Sequence, residues 1–359
     1  LDTSKLYLLL ALSAVTCAIE IPFVRRLALA FNIVDFPSER RVNKRPIARM
    51  GGIAIFLTFL SILAFSWFFF GSKLPSVLHD NPRGMLGFAL GGCVVFLTGV
   101  VDDIRSVTPR TKLLCELLAA LVVVYYGGCR VPALSLPGGR AIELGFFEAP
   151  IAVLWIVAVT NAVNLMDGLD GLAAGVSALA LVSIWAVAGS NHGSIAIISA
   201  ILIGASIGFL AFNFHPASIF MGDSGSLFLG FSVGVLSTYA GAKASTGAIT
   251  FVPVLIVALP LADTVFAMIR RYASGLVPTS MRSHVAGVAR MFVPDRMHIH
   301  HRLLRSGLGQ RQAVYVLYGI QAVGCAVAIY VVVVHGGEAS MPGAGEPAAM
   351  VISSSTPIR

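Results

Sequence analysis

The sequence predicts an all-α polytopic membrane protein of about ten transmembrane helices, with a small β-hairpin outside the membrane and polar loops on its cytoplasmic side. Three observations carry this. Hydrophobic residues make up 57% of the chain and charged residues 12%, with mean hydropathy +0.87, whereas soluble domains are about a quarter charged. The apolar residues fall in continuous runs rather than alternating, which argues against a β-barrel. Lys and Arg are distributed unevenly between the loops.

Taken in order, the candidate spans are 6–24, 50–70, 85–101, 112–126, 147–163, 171–189, 193–213, 225–241, 248–269 and 311–334. Most approach the ~20 residues that cross a bilayer as a helix, and the shorter 85–101 and 112–126 can extend into their flanks. The first span has neither the basic start nor the cleavage site of a signal peptide, so it is expected to be retained. With the N-terminus outside, loops 25–49, 102–112 and 270–311 hold seven, three and eight Lys or Arg, which is 18 of 25. The positive-inside rule then places them in the cytoplasm. Residues 1–334 are expected to form one membrane domain, with 161–171 and 213–224 as further cytoplasmic loops. Residues 335–359, His335 followed by "GGEASMPGAGEPAAMVISSSTPIR", read as a polar, disordered tail. "CRVPALSLPGGRAIELG" (129–145) has apolar residues spaced partly by two around Pro-Gly-Gly and reads as an outside β-hairpin.

The net charge of +8 suits a basic inner face against anionic lipid, and no motif supports nucleic-acid binding. The five Cys (17, 93, 115, 129 and 325) form no CxxC pair and no zinc spacing. Four of them lie in apolar spans, where Cys acts as a small hydrophobe.

The polar chemistry collects at one face. "GVVDDIRSVTPRTK", "NAVNLMDGLDG", "NFHPASIFMGDSGS" and "DRMHIHHRLL" all fall on the cytoplasmic side of a topology set by Lys and Arg alone. Carboxylates at a membrane are costly and mark ion, proton or catalytic sites. Asn164 offers an amide oxygen, and Asp167 and Asp170 share a face if their segment is helical. Asp223 stands among small residues that let a ligand approach the backbone. Oxygen ligands without His or Cys beside them suit Mg²⁺ or Mn²⁺, which complete their shells with water and phosphate. Lys112, with Thr108, Arg110 and Thr111 nearby, can hold phosphates. Phosphoryl chemistry at the inner membrane surface follows. Asp103 and Asp170 are equally at home as helix caps, and Phe220 is as readily lipid-facing bulk as a nucleobase contact. Glu116, four residues after Lys112, is expected to pair with it. Asp263, about two turns before Arg270, is placed between helix packing and the polar site. "HIHH" lacks the further ligands of a zinc centre. A secondary transporter of an anionic solute is the competing class, but transporters place their sites near the midplane between repeated halves, and no repeat is visible here.

Together, "VVDDIRSVTPRTKLL", "NAVNLMDGLDGLAAG", "NFHPASIFMGDSGSLFLG" and "FVPDRMHIHHRLLRSGL" resemble the polyprenyl-phosphate N-acetylhexosamine-1-phosphate transferase family, from about Lys44 to Val334. The resemblance implies an enzyme of the bacterial cytoplasmic membrane, its site facing the cytoplasm. Such an enzyme moves a sugar phosphate from a UDP-N-acetylhexosamine to polyprenyl phosphate and releases UMP, starting a cell-envelope polysaccharide. It implies Mg²⁺ held at Asn164 and Asp223, Asp102 and Asp103 at the lipid phosphate, and Asp167 as a further essential aspartate. It implies Asp170, Asn213 and Phe220 around the uracil, Lys112 at the pyrophosphate and Lys44 or Arg45, before "RMGG", in the first inside loop. It also implies His298, His300 and His301, with Arg296, at the sugar-phosphate end, and leaves a homodimer open. "HIHH" resembles the branch that transfers N-acetylglucosamine phosphate, whereas the phospho-N-acetylmuramoyl-pentapeptide branch tends to a run of three His. Members usually have an eleventh span, and this chain departs from them in ending on its polar tail.

Overall fold

The structure is a computed structural model, and it describes residues 3–36, 46–70, 81–135, 141–188, 193–243, 251–273 and 298–338. In chain order it contains α1 (Thr3–Ala30), β1 (Val34–Asp35), β2 (Ile47–Ala48), α2 (Gly51–Phe70), α3 (Pro82–Ile104), α4 (Pro109–Leu121, ending in a wide turn over Val122–Tyr126), β3 (Ala133–Ser135) and β4 (Ala141–Glu143). There follow α5 (Glu148–Met166), α6 (Leu172–Ala188), α7 (Gly193–Asn213), α8 (Gly222–Lys243), α9 (Phe251–Ile256), α10 (Ala258–Ala273), α11 (Ile299–Arg305) and α12 (Gln310–Glu338). The expected spans fall on helix among the described residues. Among the described residues six helices are long and apolar enough to cross a membrane, and α6 is a shorter apolar one.

The ninth expected span, 248–269, is divided between α9 and α10 at Val257. Pro260 has no N–H for the carbonyl of Ile256, so the ladder loses a bond there. Gln321 of α12 donates its Nε2 to that carbonyl at 2.5 Å instead, as a non-aqueous interior demands. α12 itself runs past the expected end at 334 to Glu338, and residues 339–359 of the expected tail lie outside the described residues.

The hairpin expected over 129–145 is present as an antiparallel pair, Ala133 opposite Glu143 and Ser135 opposite Ala141, its turn lying outside the described residues. All five cysteines are free thiols, with Cys129 buried.

α8 runs through the middle of the bundle, packing against α2, α3, α5 and α6. Phe228 and Phe231 on it are fully buried. Phe56 of α2 stacks on Phe96 of α3 at 3.8 Å and meets Phe228 edge-on at 5.0 Å. Gly52 of α2 and Gly99 of α3 lie directly against the Ser224–Gly225 backbone, leaving no room for a Cβ at either position. Small residues at such crossings let helix backbones approach closely, and here they bring the ends of α2 and α3 to the first turn of α8. A backbone pairing completes the join: Phe220 donates to Ala48, Gly51 to Phe220 and Gly52 to Met221, at 2.8–2.9 Å.

Candidate active site

The first turn of α8 has N–H groups without intrahelical partners, and a distant carboxylate satisfies them. Asp103, at the end of α3, accepts from the amides of Asp223 (2.8 Å) and Ser224 (3.1 Å) and from Ser224 Oγ (2.7 Å). Negative charge is stabilised at that end of a helix. Gly222 enters the turn at φ +74°, and a Cβ there would stand 2.5 Å from Asp103 Oδ2. Asp103 therefore acts as a cap, for a helix more than a hundred residues away in sequence, and this cap fixes the position of Asp223.

Asp102 turns the other way. Its Oδ1 accepts from Val107 N at 2.8 Å, closing the loop into α4, where Thr108 caps with Oγ1 to Thr111 N at 3.3 Å. Lys112 in the first turn of α4 thereby reaches Asp102 Oδ2 at 3.3 Å and pairs closely with Asp223 Oδ2. Arg49 meets the other side of the same group, 3.4 Å from Asp223 Oδ1 and 3.5 Å from Asp103 Oδ1. Glu116 does not pair with Lys112 as expected. Its Oε2 accepts from Asn161 Nδ2 on α5, because Lys112 is drawn toward two aspartates.

α5 ends at Met166, and Asp167 is already out of the helix at ψ 56°. Asp167 and Asp170 thus lie in a turn between α5 and α6, not on one helical face. Asn164 donates Nδ2 to Ser226 Oγ at 2.8 Å, which ties α5 to α8 three residues after Asp223 and leaves the amide oxygen as an acceptor. Asp170 Oδ2 accepts from Ala217 N (3.1 Å) and is 2.7 Å from His215 Nδ1. Asn213 is buried and bonds backbone at both ends, from Gly171 N (3.0 Å) and to Ile219 O (2.9 Å). It joins the Asp-rich turn to the strand-like segment before α8.

These segments enclose a cavity of about 810 Å³. Of the expected residues, Asn164, Asp167, Asp170, Asn213, Phe220, Asp223 and His301 line it. Asp102, Asp103, Lys112, His298 and His300 form the layer around these, whereas Lys44 and Arg296 lie outside the described residues. Arg25, Arg49 and His215 line the wall too. Arg49 belongs to the "RMGG" stretch, yet composition there favours Lys44 or Arg45 just as well. Only the pairing of 48–52 with 219–221 picks out Arg49.

The histidine segment closes one side. The His300 ring packs on the turn at Gly168, where a Cβ would lie 2.7 Å from Nε2. Burial, and then the neighbouring His301, pushes the His300 pKa down to about 4, so it is neutral at physiological pH. Asp167 moves the opposite way. Burial, followed by the charge of Asp223, pushes it up to about 7, despite the opposing pull of Arg49.

A family model described as glycosyl transferase family 4 matches residues 85–241, which include the Asp102–Asp103, Asn164–Asp170 and Asp223 stretches. The chain is 38% identical over 309 residues, 85% of its length and 79% of the relative's, to the "Probable undecaprenyl-phosphate N-acetylglucosaminyl 1-phosphate transferase" of Bacillus subtilis. The chain belongs to glycosyl transferase family 4. Within that family it is also similar to the "Decaprenyl-phosphate N-acetylglucosaminephosphotransferase" of Mycolicibacterium smegmatis, at 34% identity over 89% of this chain and 82% of the relative. Its similarity to the "Phospho-N-acetylmuramoyl-pentapeptide-transferase" of Halalkalibacterium halodurans is 35%, over 66% of this chain and 74% of the relative.

The donor set of this family 4 site fits a hard cation. Among the described residues no group of three or more His, Cys, Asp or Glu side chains converges as a metal cage. Asn164 and Asp223 instead offer an amide and a carboxylate oxygen on one cavity wall. Mg²⁺ is typically bound by one or two protein carboxylates, its shell completed by water and phosphate.

Proposed function

We propose that this protein transfers N-acetylglucosamine 1-phosphate from its UDP-sugar to polyprenyl phosphate, at the cytoplasmic face of a bacterial cytoplasmic membrane. An oxygen of the lipid phosphate attacks the β-phosphorus of the donor. The bond from that phosphorus to the bridging oxygen breaks, and UMP leaves with the electron pair. The observation that carries this reading is the convergence of α3, α4, α5 and α8 on Asp223, with Lys112 on one side, Arg49 on the other and an open cavity in front. A wall with two cations beside an oxygen-rich corner suits the meeting of a pyrophosphate with a phosphate.

Asn164 and Asp223 would hold Mg²⁺ or Mn²⁺, which when bound would neutralise the pyrophosphate and stabilise the departing UMP. Lys112 and Arg49 hold phosphate oxygens, and placing two anions in line is itself worth roughly 7–11 kcal/mol of barrier. Asp103 positions Asp223, and Asp102, at the end of a membrane helix, holds Lys112 toward the site of the lipid phosphate. Asp170 and Phe220 receive the uracil, and His301 the sugar phosphate. The lipid phosphate is already an anionic nucleophile, so a single displacement suffices and no phospho-aspartate is required.

Two features favour N-acetylglucosamine as the sugar: relatives 38% and 34% identical over 85% and 89% of this chain carry that name, against 31% over 87% for a phospho-N-acetylmuramoyl-pentapeptide-transferase, and "HIHH" is not a run of three His. The purified protein should release UMP from UDP-N-acetylglucosamine when Mg²⁺ and polyprenyl phosphate are both present, and none when the lipid is left out. UDP-N-acetylmuramoyl-pentapeptide should not be used. Turnover of that donor at a comparable rate would overturn the sugar assignment, and one UMP per site without lipid would overturn the single displacement.

A further inference from the structure

Asp263 belongs to α10, outside the matched region 85–241, and has no part in the reaction proposed above. It is nonetheless almost fully buried, as is His298. Its two oxygens bind consecutive residues of the histidine segment: Oδ2 is 2.9 Å from His298 Nδ1, and Oδ1 accepts from Ile299 N at 2.7 Å. A carboxylate only accepts, so the proton between them sits on His298 Nδ1.

The consequences pass along the segment. The His298 ring lies parallel to that of His300, at 5° and 5.7 Å between centroids. His300 is seated on Gly168 and tilts against His301 at 4.3 Å. His301 lines the cavity beside Asp167 and Asp170. Apolar contacts alone do not choose this arrangement. Ile299, Leu303 and Leu304 pack on a cluster that includes Met166, Leu169 and Leu317, and non-directional burial fixes neither the rotation of α11 nor the direction of its imidazoles. The two directional bonds to Asp263 do.

We propose that Asp263 is the positioning residue of the histidine segment: by holding His298 and the Ile299 amide it sets the segment on Gly168 and presents His301 to the cavity. The activity readout rests on the phosphotransfer reading, but the structural readout does not.

Hydrogen exchange on the purified protein without substrates tests the anchoring. Amides within 299–305 should exchange about tenfold faster in Asp263→Ala, as expected for loss of bonds to a charged group, while the middle of α12 is unchanged. The apolar cluster keeps the segment docked, and Asp263→Asn preserves the volume, so both variants should fold, with a lower thermal midpoint for Asp263→Ala, which leaves His298 Nδ1 and the Ile299 amide without their acceptor. UMP release should fall about 10–100-fold in kcat, the range known for carboxylates that orient metal-ligating histidines, with the KM for polyprenyl phosphate unchanged. Asp263→Ala combined with His301→Ala should be no slower than His301→Ala alone, because the first acts through the second. Unchanged exchange of 299–305 in Asp263→Ala, losses that multiply in the double variant, or wild-type kcat in both single variants would overturn the proposal. If the wild type releases no UMP, the phosphotransfer reading fails, and the exchange result still decides the anchoring.

Discussion

At the scale of single residues, Asp223 is the point on which the others converge, and Asn164 is its counterpart on the same cavity wall. Asp223→Ala should lower UMP release about 100-fold or more, the scale on which one preorganised electrostatic contact is felt, while the protein stays folded in detergent. Asn164→Ala, which removes a neutral ligand, should mainly raise the Mg²⁺ concentration needed for half-maximal rate. Near-normal turnover of Asp223→Ala at low Mg²⁺ would sink the metal assignment. Asp167 makes a different prediction, because its pKa is raised to about 7 from the ordinary 3.8. Between those values the folded protein keeps a proton that the unfolded chain has lost. Stability must therefore fall as pH rises across that window, and level off above it. Asp167→Asn has no such proton, so the wild type should lose thermal stability relative to the variant from about pH 4 to 7. Parallel melting curves across that range, measured with a chelator present, would show that the Asp167 carboxyl is not perturbed.

At the scale of elements, the site is built by helix ends. α3 ends on Asp102–Ile104, α5 on Asn164–Met166 and α7 on Asn213, and α8 starts at Gly222, so helix ends with unsatisfied backbone groups gather at one place. The α8 end depends on Gly222. A side chain there meets both a φ of +74° and the carboxylate of Asp103. Gly222→Ala should destabilise the protein by about 1 kcal/mol or more from backbone strain alone. Its loss of UMP release should exceed what that instability explains, because the Asp103 cap and Asp223 move together. A Gly222→Ala enzyme with wild-type kcat would show that the cap does not position Asp223. The break between α9 and α10 follows the same local rules, with Pro260 freeing a carbonyl and Gln321 answering it.

At the scale of the whole molecule, Arg25 and Arg49 line the cavity and belong to a loop expected on the cytoplasmic side, and the paired strands β3 and β4 belong to a segment with the opposite expected side. The positive-inside pattern predicts that a cysteine at Ser306 reacts with an impermeant maleimide only from the cytoplasm, and one at Glu143 only from outside. The buried Cys17, Cys129 and Cys325 should give little background once the partly exposed Cys93 and Cys115 are replaced by Ser. Reaction of both positions from one side would refute the topology.

Much of this was legible in the one-dimensional order. Apolar runs of bilayer length predict the helices, since in hydrocarbon a backbone must satisfy itself within each segment. The oxygen-rich stretches at their ends predict a polar site, since such residues are too costly to retain at a membrane without use. Asn164, Asp167, Asp170 and Asp223 were identified in this way, and all line the cavity. Partnership was not legible, because it depends on directions and distances between segments far apart in the chain. Asp102 and Asp103 are neighbours in sequence and do different work, one toward Lys112 and the other beneath α8. Glu116 stands one turn from Lys112 yet bonds Asn161. Arg49 and Asp263 belong to no carboxylate or histidine motif, and only the packing of the 48–52 stretch on 219–221 and of α10 on the histidine segment gives them a place. Hydrophobicity acts through quantity and period, which a sequence states outright. A hydrogen bond or ion pair acts over about 3 Å, and that is decided only when the helices have packed.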